Sequence, residues 1–234
     1  MTEASHAVIR RSRSRIASAI GLTIALGSPF VLPLLPGHEH HSITDARQDT
    51  VLLVFEWVVA IVILAIVLFG ERLPLRSVGF RAPGWRDFGA MIATIVGILV
   101  AGGLFVVMTH STDPGRLAGA TPEQIAAVPL ALRIALFLTA GFCEELMFRG
   151  YGIERVAMFT GRLWIGGLAA VVLFTLGHLP RYGFSLALIG VFIIACFLSG
   201  LYLWRRNLWL CVIIHASADA MGLVVGPALH SHIR

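Results

Sequence analysis

Charge is scarce in this 234-residue chain: Asp, Glu, Lys and Arg make up 13% of it against 57% hydrophobic residues. A soluble domain carries about twice that charged fraction. With a mean hydropathy of +0.85, a water-soluble globular fold is excluded and an integral membrane protein is indicated. Lysine is absent, all 18 basic residues being arginine, which is a compositional bias without chemical weight. Cysteine is nearly absent as well. Cys143, Cys196 and Cys211 are odd in number, show no C-x-x-C spacing and sit in apolar runs, which excludes a disulfide framework and a thiolate zinc site. There is no H-E-x-x-H, no G-x-S-x-G and no phosphate-binding glycine loop, so zincin, serine-hydrolase and nucleotide-driven chemistry have no motif behind them. The net charge of +5 does not point to nucleic acid, because the arginines are scattered between apolar spans without a basic face.

What is present is apolar sequence in membrane-length runs. Stretches at approximately 16–35, 51–69, 88–109, 130–150, 163–179, 184–204 and 207–227 each approach the roughly 20 residues that cross a bilayer core. Backbone groups in hydrocarbon must be paired within their own segment, so the expected fold is all-α, a polytopic membrane bundle of about seven transmembrane helices. The N-terminal run has a basic flank like a signal peptide, but it is long and no A-x-A-like site closes it, so it is read as the first membrane helix. Arginine clusters (Arg10, Arg11, Arg13 and Arg15; Arg72, Arg76, Arg81 and Arg86; Arg149, Arg155 and Arg162; Arg205 and Arg206) alternate with single arginines (Arg47, Arg116, Arg181, Arg234) from connection to connection. By the positive-inside rule the N-terminus is cytoplasmic and the C-terminus outside. Without repeats or a separate soluble unit, 1–234 is expected to be one integral membrane domain, with N-terminal helices over 16–140. The segment ERLPLRSVGFRAPGWRD at 71–87 is expected to lie in the cytoplasmic interface, its rings at headgroup level and its arginines toward anionic lipid.

Against this background GFCEELMFRGY, at 141–151, is out of place. A charged side chain at the bilayer centre costs roughly 2.5–3.5 kcal/mol on insertion scales, and such residues usually line an interior cavity. Glu145 and Arg149 are spaced i,i+4 and can pair, which leaves Glu144 about 100° round the helix without that partner. His178 ends the fifth apolar run, and His215 and Asp219 stand i,i+4 in the seventh. Singly, each could merely join helices; together, on three helices of a small bundle, they read as a site. Other candidates are weaker. Glu56 lies a few residues from the outer end of its helix and is expected to reach the interface or pair with another helix. His38, Glu39, His40 and His41 lack the separation of a helix-presented zinc site and read as a solvated loop, and Arg133 reads as an interfacial anchor.

The three groups follow one pattern. E-E-L-M-F-R at 144–149, F-T-L-G-H at 174–178 and H-A-S-A-D at 215–219 together resemble the signature E-E-x-x-x-R, F-x-x-x-H, H-x-x-x-N/D of the CAAX prenyl endopeptidase and bacteriocin-processing (CPBP) intramembrane proteases. The resemblance covers 141–220; before it, only further helices and the LRSVGFRAPGW connection are similar. It implies a membrane-embedded protease of metal-independent glutamic type, in a bacterial inner (plasma) membrane, cutting a membrane-associated protein or peptide with no cofactor. Carried over, Glu144 is the general base and His178 its partner at the water. His215 and Asp219 take the oxyanion side, while Arg149 and Glu145 hold the site together. A carboxylate in a low-dielectric pocket can serve as a base near neutral pH.

Asp219 stands where an asparagine would donate to the oxyanion. Either it is protonated, or it orients and charges His215. A third arrangement has Glu144, Glu145, His178, His215 and Asp219 holding Zn²⁺, ranked below the metal-free mechanism mainly on the resemblance. For Glu144 and His178 to meet at mid-depth, at 1.5 Å per residue, the fourth helix must run on to about Phe159. The height of His215 then fits a cavity open to the cytoplasmic side. The alternative function is a non-catalytic membrane scaffold or a small transporter relaying protons, though repeat symmetry and broken helix pairs are missing. Nothing in the sequence sets an oligomeric state.

Overall fold

The computed structural model describes residues 3–34, 46–110, 119–225 and 227–228, with side chains in the first helix from Ser14 onward. The histidine-rich stretch at 38–41 and Arg116 and Arg234 lie outside the described residues. Among these residues there are helices and no strands, as the need to pair every backbone group in hydrocarbon requires. Seven long helical runs follow one another: α1 (Glu3–Gly27), α2 (Ala46–Gly70), α3 (Trp85–Thr109), α4 over 130–160, α5 (Leu163–Tyr182), α6 (Leu186–Arg205) and α7 (Leu208–Val225). Five of them, α2, α3, α5, α6 and α7, are long and apolar enough to cross a membrane. The other two fall short for a visible reason: α1 carries four arginines in its first half, and α4 carries Glu144, Glu145, Arg149, Glu154 and Arg155. A single buried apolar cluster draws on all seven, from Ala25 and Leu26 of α1 to Leu208 and Ile214 of α7.

The fourth helix does run on, to Thr160, as the depth argument requires. It does so through an unexpected device. Leu130–Glu145 is α-helical, Leu146–Ile153 is π-helical, and Glu154–Thr160 returns to α. Such widened turns cluster at functional sites. Among the described residues the π segment lies in the longest buried run, every residue from Leu146 to Ile153 being inside.

The arginine-rich end of the bundle is closed by ion pairs, so several of the arginines that set the expected orientation also tie helices together. Arg155, counted above as a cytoplasmic-side charge, is buried and makes a forked contact to Glu71, Nε–Oε1 2.9 Å and Nη2–Oε2 2.6 Å. Glu71 also accepts from the Ser18 hydroxyl at 2.6 Å and the Tyr151 hydroxyl at 2.8 Å, so α1, α4 and the end of α2 meet at one carboxylate. Nearby, Arg206 pairs with Glu154, which also accepts from Tyr202, and Arg205 pairs with Asp87 at 2.6 Å. The 71–87 connection divides its residues. Arg72, Arg76, Arg81, Trp85 and Arg86 face outward as expected, whereas Val78 is buried and Phe80 packs between Phe142 and Trp209. Gly79 turns the chain with φ 85° and accepts from Leu208 N at 2.8 Å, pinning the start of α7.

Burial would lift the Glu71 carboxyl, but the bonds from Arg155, Ser18 and Tyr151 outweigh it and hold the group below the usual carboxylate range. Its contribution to stability is therefore full above the unfolded value of roughly 4.3 and fades as pH falls through the lower folded value. Removing one partner leaves the other charge buried alone. Arg155→Leu is expected to destabilise the protein by about 3 kcal/mol or more, read as a fall in thermal unfolding temperature in detergent. The Glu71→Gln loss should shrink toward acid pH.

Candidate active site

Helices α4 and α7 approach closely because two small residues face each other. A Cβ on Gly141 would come within 2.7 Å of the Ala216 Cβ and 3.0 Å of its backbone nitrogen. This contact brings Glu144 and Glu145, one turn further along α4, up to His215, the neighbour of Ala216. Glu145 and Arg149 pair as their spacing predicts, Nη1 donating to Oε1 at 2.7 Å, both side chains fully buried. The same Oε1 lies 2.7 Å from His215 Nδ1. Since a carboxylate only accepts, Nδ1 carries a hydrogen, and His215 is held with Nε2 turned the other way. The Arg149 guanidinium lies over the Phe174 ring at 4.3 Å, a cation–π contact that fixes the second motif against the first.

His215 Nε2 faces Asp219 Oδ2 at 3.6 Å and Glu144 Oε2 at 3.8 Å. Glu144 Oε2 is buried and has no hydrogen bond among the described residues. His178 Nδ1 is 2.9 Å from the Phe174 carbonyl, four residues earlier. The carbonyl can only accept, so Nδ1 donates and Nε2 of the neutral ring is left as an acceptor. Phe174 and Tyr182 hold the imidazole, with centroids at 4.6 Å and 6.0 Å. All six motif residues thus lie in or against one constellation. Four of them, Glu144, His178, His215 and Asp219, line a cavity of about 380 Å³. Glu145 and Arg149 stand behind it as supports. Asp219 Oδ2 stands on the Nε2 side of His215, while Nδ1 of the ring is held by Glu145.

Three residues join the site that sequence reasoning passed over. Glu56 was expected at the interface or against another helix; it is instead 7% exposed and lines the main cavity together with a smaller one of about 100 Å³ that shares Glu144 and His178. Its signal was present, a lone carboxylate within an apolar run, but the face of α2 that packs inward could not be read from a helix apolar all round. Arg181 and Tyr182 follow His178 on the last turn of α5 and also line the cavity. Arg133, expected to anchor at the interface, donates to the Leu223 carbonyl of α7 at 2.9 Å.

The side on which the cavity lies departs from the expectation. Its lining comes from the first half of α2 and α6, the second half of α7, the last turns of α5, and Ile125 in the 119–128 connection. These belong to the end opposite the arginine-rich one, and not to the side the height of His215 suggested. The reason is that the expectation rested on His215 alone, whereas Asp219, Gly222 and Leu223, further along α7, line the cavity as well. The arginine-rich end is meanwhile filled by the Glu71 and Glu154 networks.

Residues 126–221 match the model of a family described as type II CAAX prenyl endopeptidase, Rce1-like. The matched stretch runs across α4 to α7 and contains all six residues above. Over this stretch the chain is similar to the Rce1-like family. At 26% identity over 211 residues, 89% of this chain and 77% of the relative, it is also similar to the UPF0177 protein YvdC of Lactococcus lactis subsp. lactis. No solved structure matches the chain. The family so described is one of endopeptidases, and the similarity falls on the part of this chain that carries the site.

Because the α4–α7 contact has no room for a methyl group, Gly141→Ala is expected to push the helices apart at a cost of about 1–3 kcal/mol. The change should lower thermal stability. It should also loosen the Glu145–His215 hydrogen bond, seen as a shift of the His215 imidazole resonances in NMR.

Proposed function

We propose that the chain is an intramembrane endopeptidase of metal-independent glutamic type, with Glu144 as the base that activates water. The observation that carries this reading is the buried, unsatisfied Glu144 Oε2, which shares one cavity with His178 and with His215 Nε2, 3.8 Å away. In the proposed reaction Glu144 takes a proton from water, whose oxygen attacks the carbonyl carbon of the scissile peptide. His178, its Nδ1 engaged by Phe174, accepts at Nε2 a hydrogen bond from the O–H that the attacking oxygen keeps, and so orients the nucleophile. His215, held by Glu145, donates from Nε2 to the oxyanion, with the Asp219 carboxylate supporting the imidazolium. Collapse breaks the C–N bond, and Glu144 returns its proton to the leaving amine. Arg149 neutralises Glu145 and thereby lets a full carboxylate face His215 in a dry interior.

The substrate in this reading is a membrane-associated protein or peptide, and the membrane is the bacterial plasma membrane, in keeping with the bacterial relative. No metal is needed for the steps above. Glu144→Gln keeps shape and hydrogen bonding but removes the base, and should reduce cleavage by about 10²-fold or more. Quantitative mass spectrometry of native protein termini in cells carrying wild-type or Glu144→Gln protein reads this directly. An end that stays uncleaved in the mutant supports the reading; identical terminal profiles would move the chain to a scaffold. Cleavage by purified protein should survive treatment with a zinc chelator. Loss on chelation with recovery on adding Zn²⁺ would replace the glutamic mechanism by a metal one.

A further inference from the structure

The cavity carries a carboxylate that the proposed chemistry does not use. Glu56 is held at the wall by its neighbour: Trp57 Nε1 donates to Thr139 Oγ1 of α4 at 3.0 Å, and the Trp57 ring stacks on Phe142 at 5.5 Å. The side chain is more than nine-tenths buried and lines both the main cavity and the smaller one behind it. Among the described residues it takes part in no hydrogen bond or ion pair.

The cations nearby are committed elsewhere. Arg149 and His215 Nδ1 are bound to Glu145, and His215 Nε2 lies between Glu144 and Asp219. Arg181, at the rim, is the one arginine in the lining, its guanidinium over the Tyr182 ring at 5.0 Å. Set against Glu56, Glu144 and Asp219 in the same lining, the walls are acidic in excess. A buried carboxylate without a counter-charge is costly, and a ligand that brings the missing charge recovers that cost on binding. At about 380 Å³ the space has the size of a small-ligand site and admits a few side chains of a peptide.

We infer that Glu56 is a specificity-determining residue, receiving a lysine or arginine side chain of the substrate beside the scissile bond. The inference rests on the endopeptidase reading for what the substrate is, and on the cavity alone for its charge.

The test uses the full-length protein in lipid nanodiscs. The probes are fluorescent synthetic peptides of one apolar sequence with lysine, norleucine or glutamate placed at each position in turn. Binding is followed by anisotropy and cleavage by mass spectrometry. Wild-type protein should bind lysine peptides about tenfold tighter than norleucine ones at one position or more, with glutamate weakest. Glu56→Gln should bring lysine and norleucine peptides to within about twofold of each other, and Glu56→Arg should turn the preference toward glutamate. Glu56→Ala serves if the glutamine variant does not fold. The inference is overturned if wild-type protein shows no lysine preference at any position, an arm that needs no variant, or if the preference survives Glu56→Gln. A lysine preference in binding with no peptide cleaved would retain the role of Glu56 and sink the endopeptidase reading; cleavage without preference would do the reverse.

Discussion

Glu145 Oε1 accepts hydrogen bonds from Arg149 in its own helix and from His215 on α7, and these two bonds leave the surrounding groups little freedom. In a low-dielectric interior neither a lone guanidinium nor a lone carboxylate is tolerable, so the pair must form together or not at all. Once formed, it fixes the His215 ring, and with it the direction of the only nitrogen left to face Glu144 and Asp219. The same guanidinium covers Phe174, whose carbonyl orients His178. One buried ion pair therefore sets the positions of imidazoles on two other helices.

How much of this could be read beforehand follows from the range of each interaction. The Glu145–Arg149 pair depends only on spacing within one helix, and the extent of α4 followed from counting rise per residue. The contacts that cross helices were not legible in the same way. That His215 would share Glu145 with Arg149 spans 70 residues of chain, and that Glu56 would turn inward depends on which face of a uniformly apolar helix meets its neighbours. The side of the cavity was not legible from the height of His215 alone, because Asp219, Gly222 and Leu223 beyond it on α7 also form the lining. The second role of the arginines was hidden in the same way: that Arg155 would pair with Glu71 is a contact between residues 84 apart in the chain.

The bundle divides its charges between its ends in a way that matters for stability and reactivity. At the arginine-rich end nearly every buried charge is matched, Glu71 with Arg155, Glu154 with Arg206 and Asp87 with Arg205, and the helices are tied there. Toward the other end the lining carries more carboxylates than arginines, and the space between the helices is open enough to form cavities. A protein that must admit a polymer between its helices needs one end that holds and one end that yields.

The π-helical stretch from Leu146 to Ile153 has a consequence for how the chain tolerates change in length. An extra residue in a turn rotates everything beyond it by about 100° relative to an unbroken α-helix. Glu144 and Arg155 lie on either side of that turn, one at the site and the other at the closed end. Shortening the stretch by a residue would give a more regular helix and a worse protein, since Glu144 and Arg155 could no longer both face their partners. Along this segment the number of residues is constrained as tightly as their identity, and sequences related to it should differ by substitution far more often than by insertion or deletion.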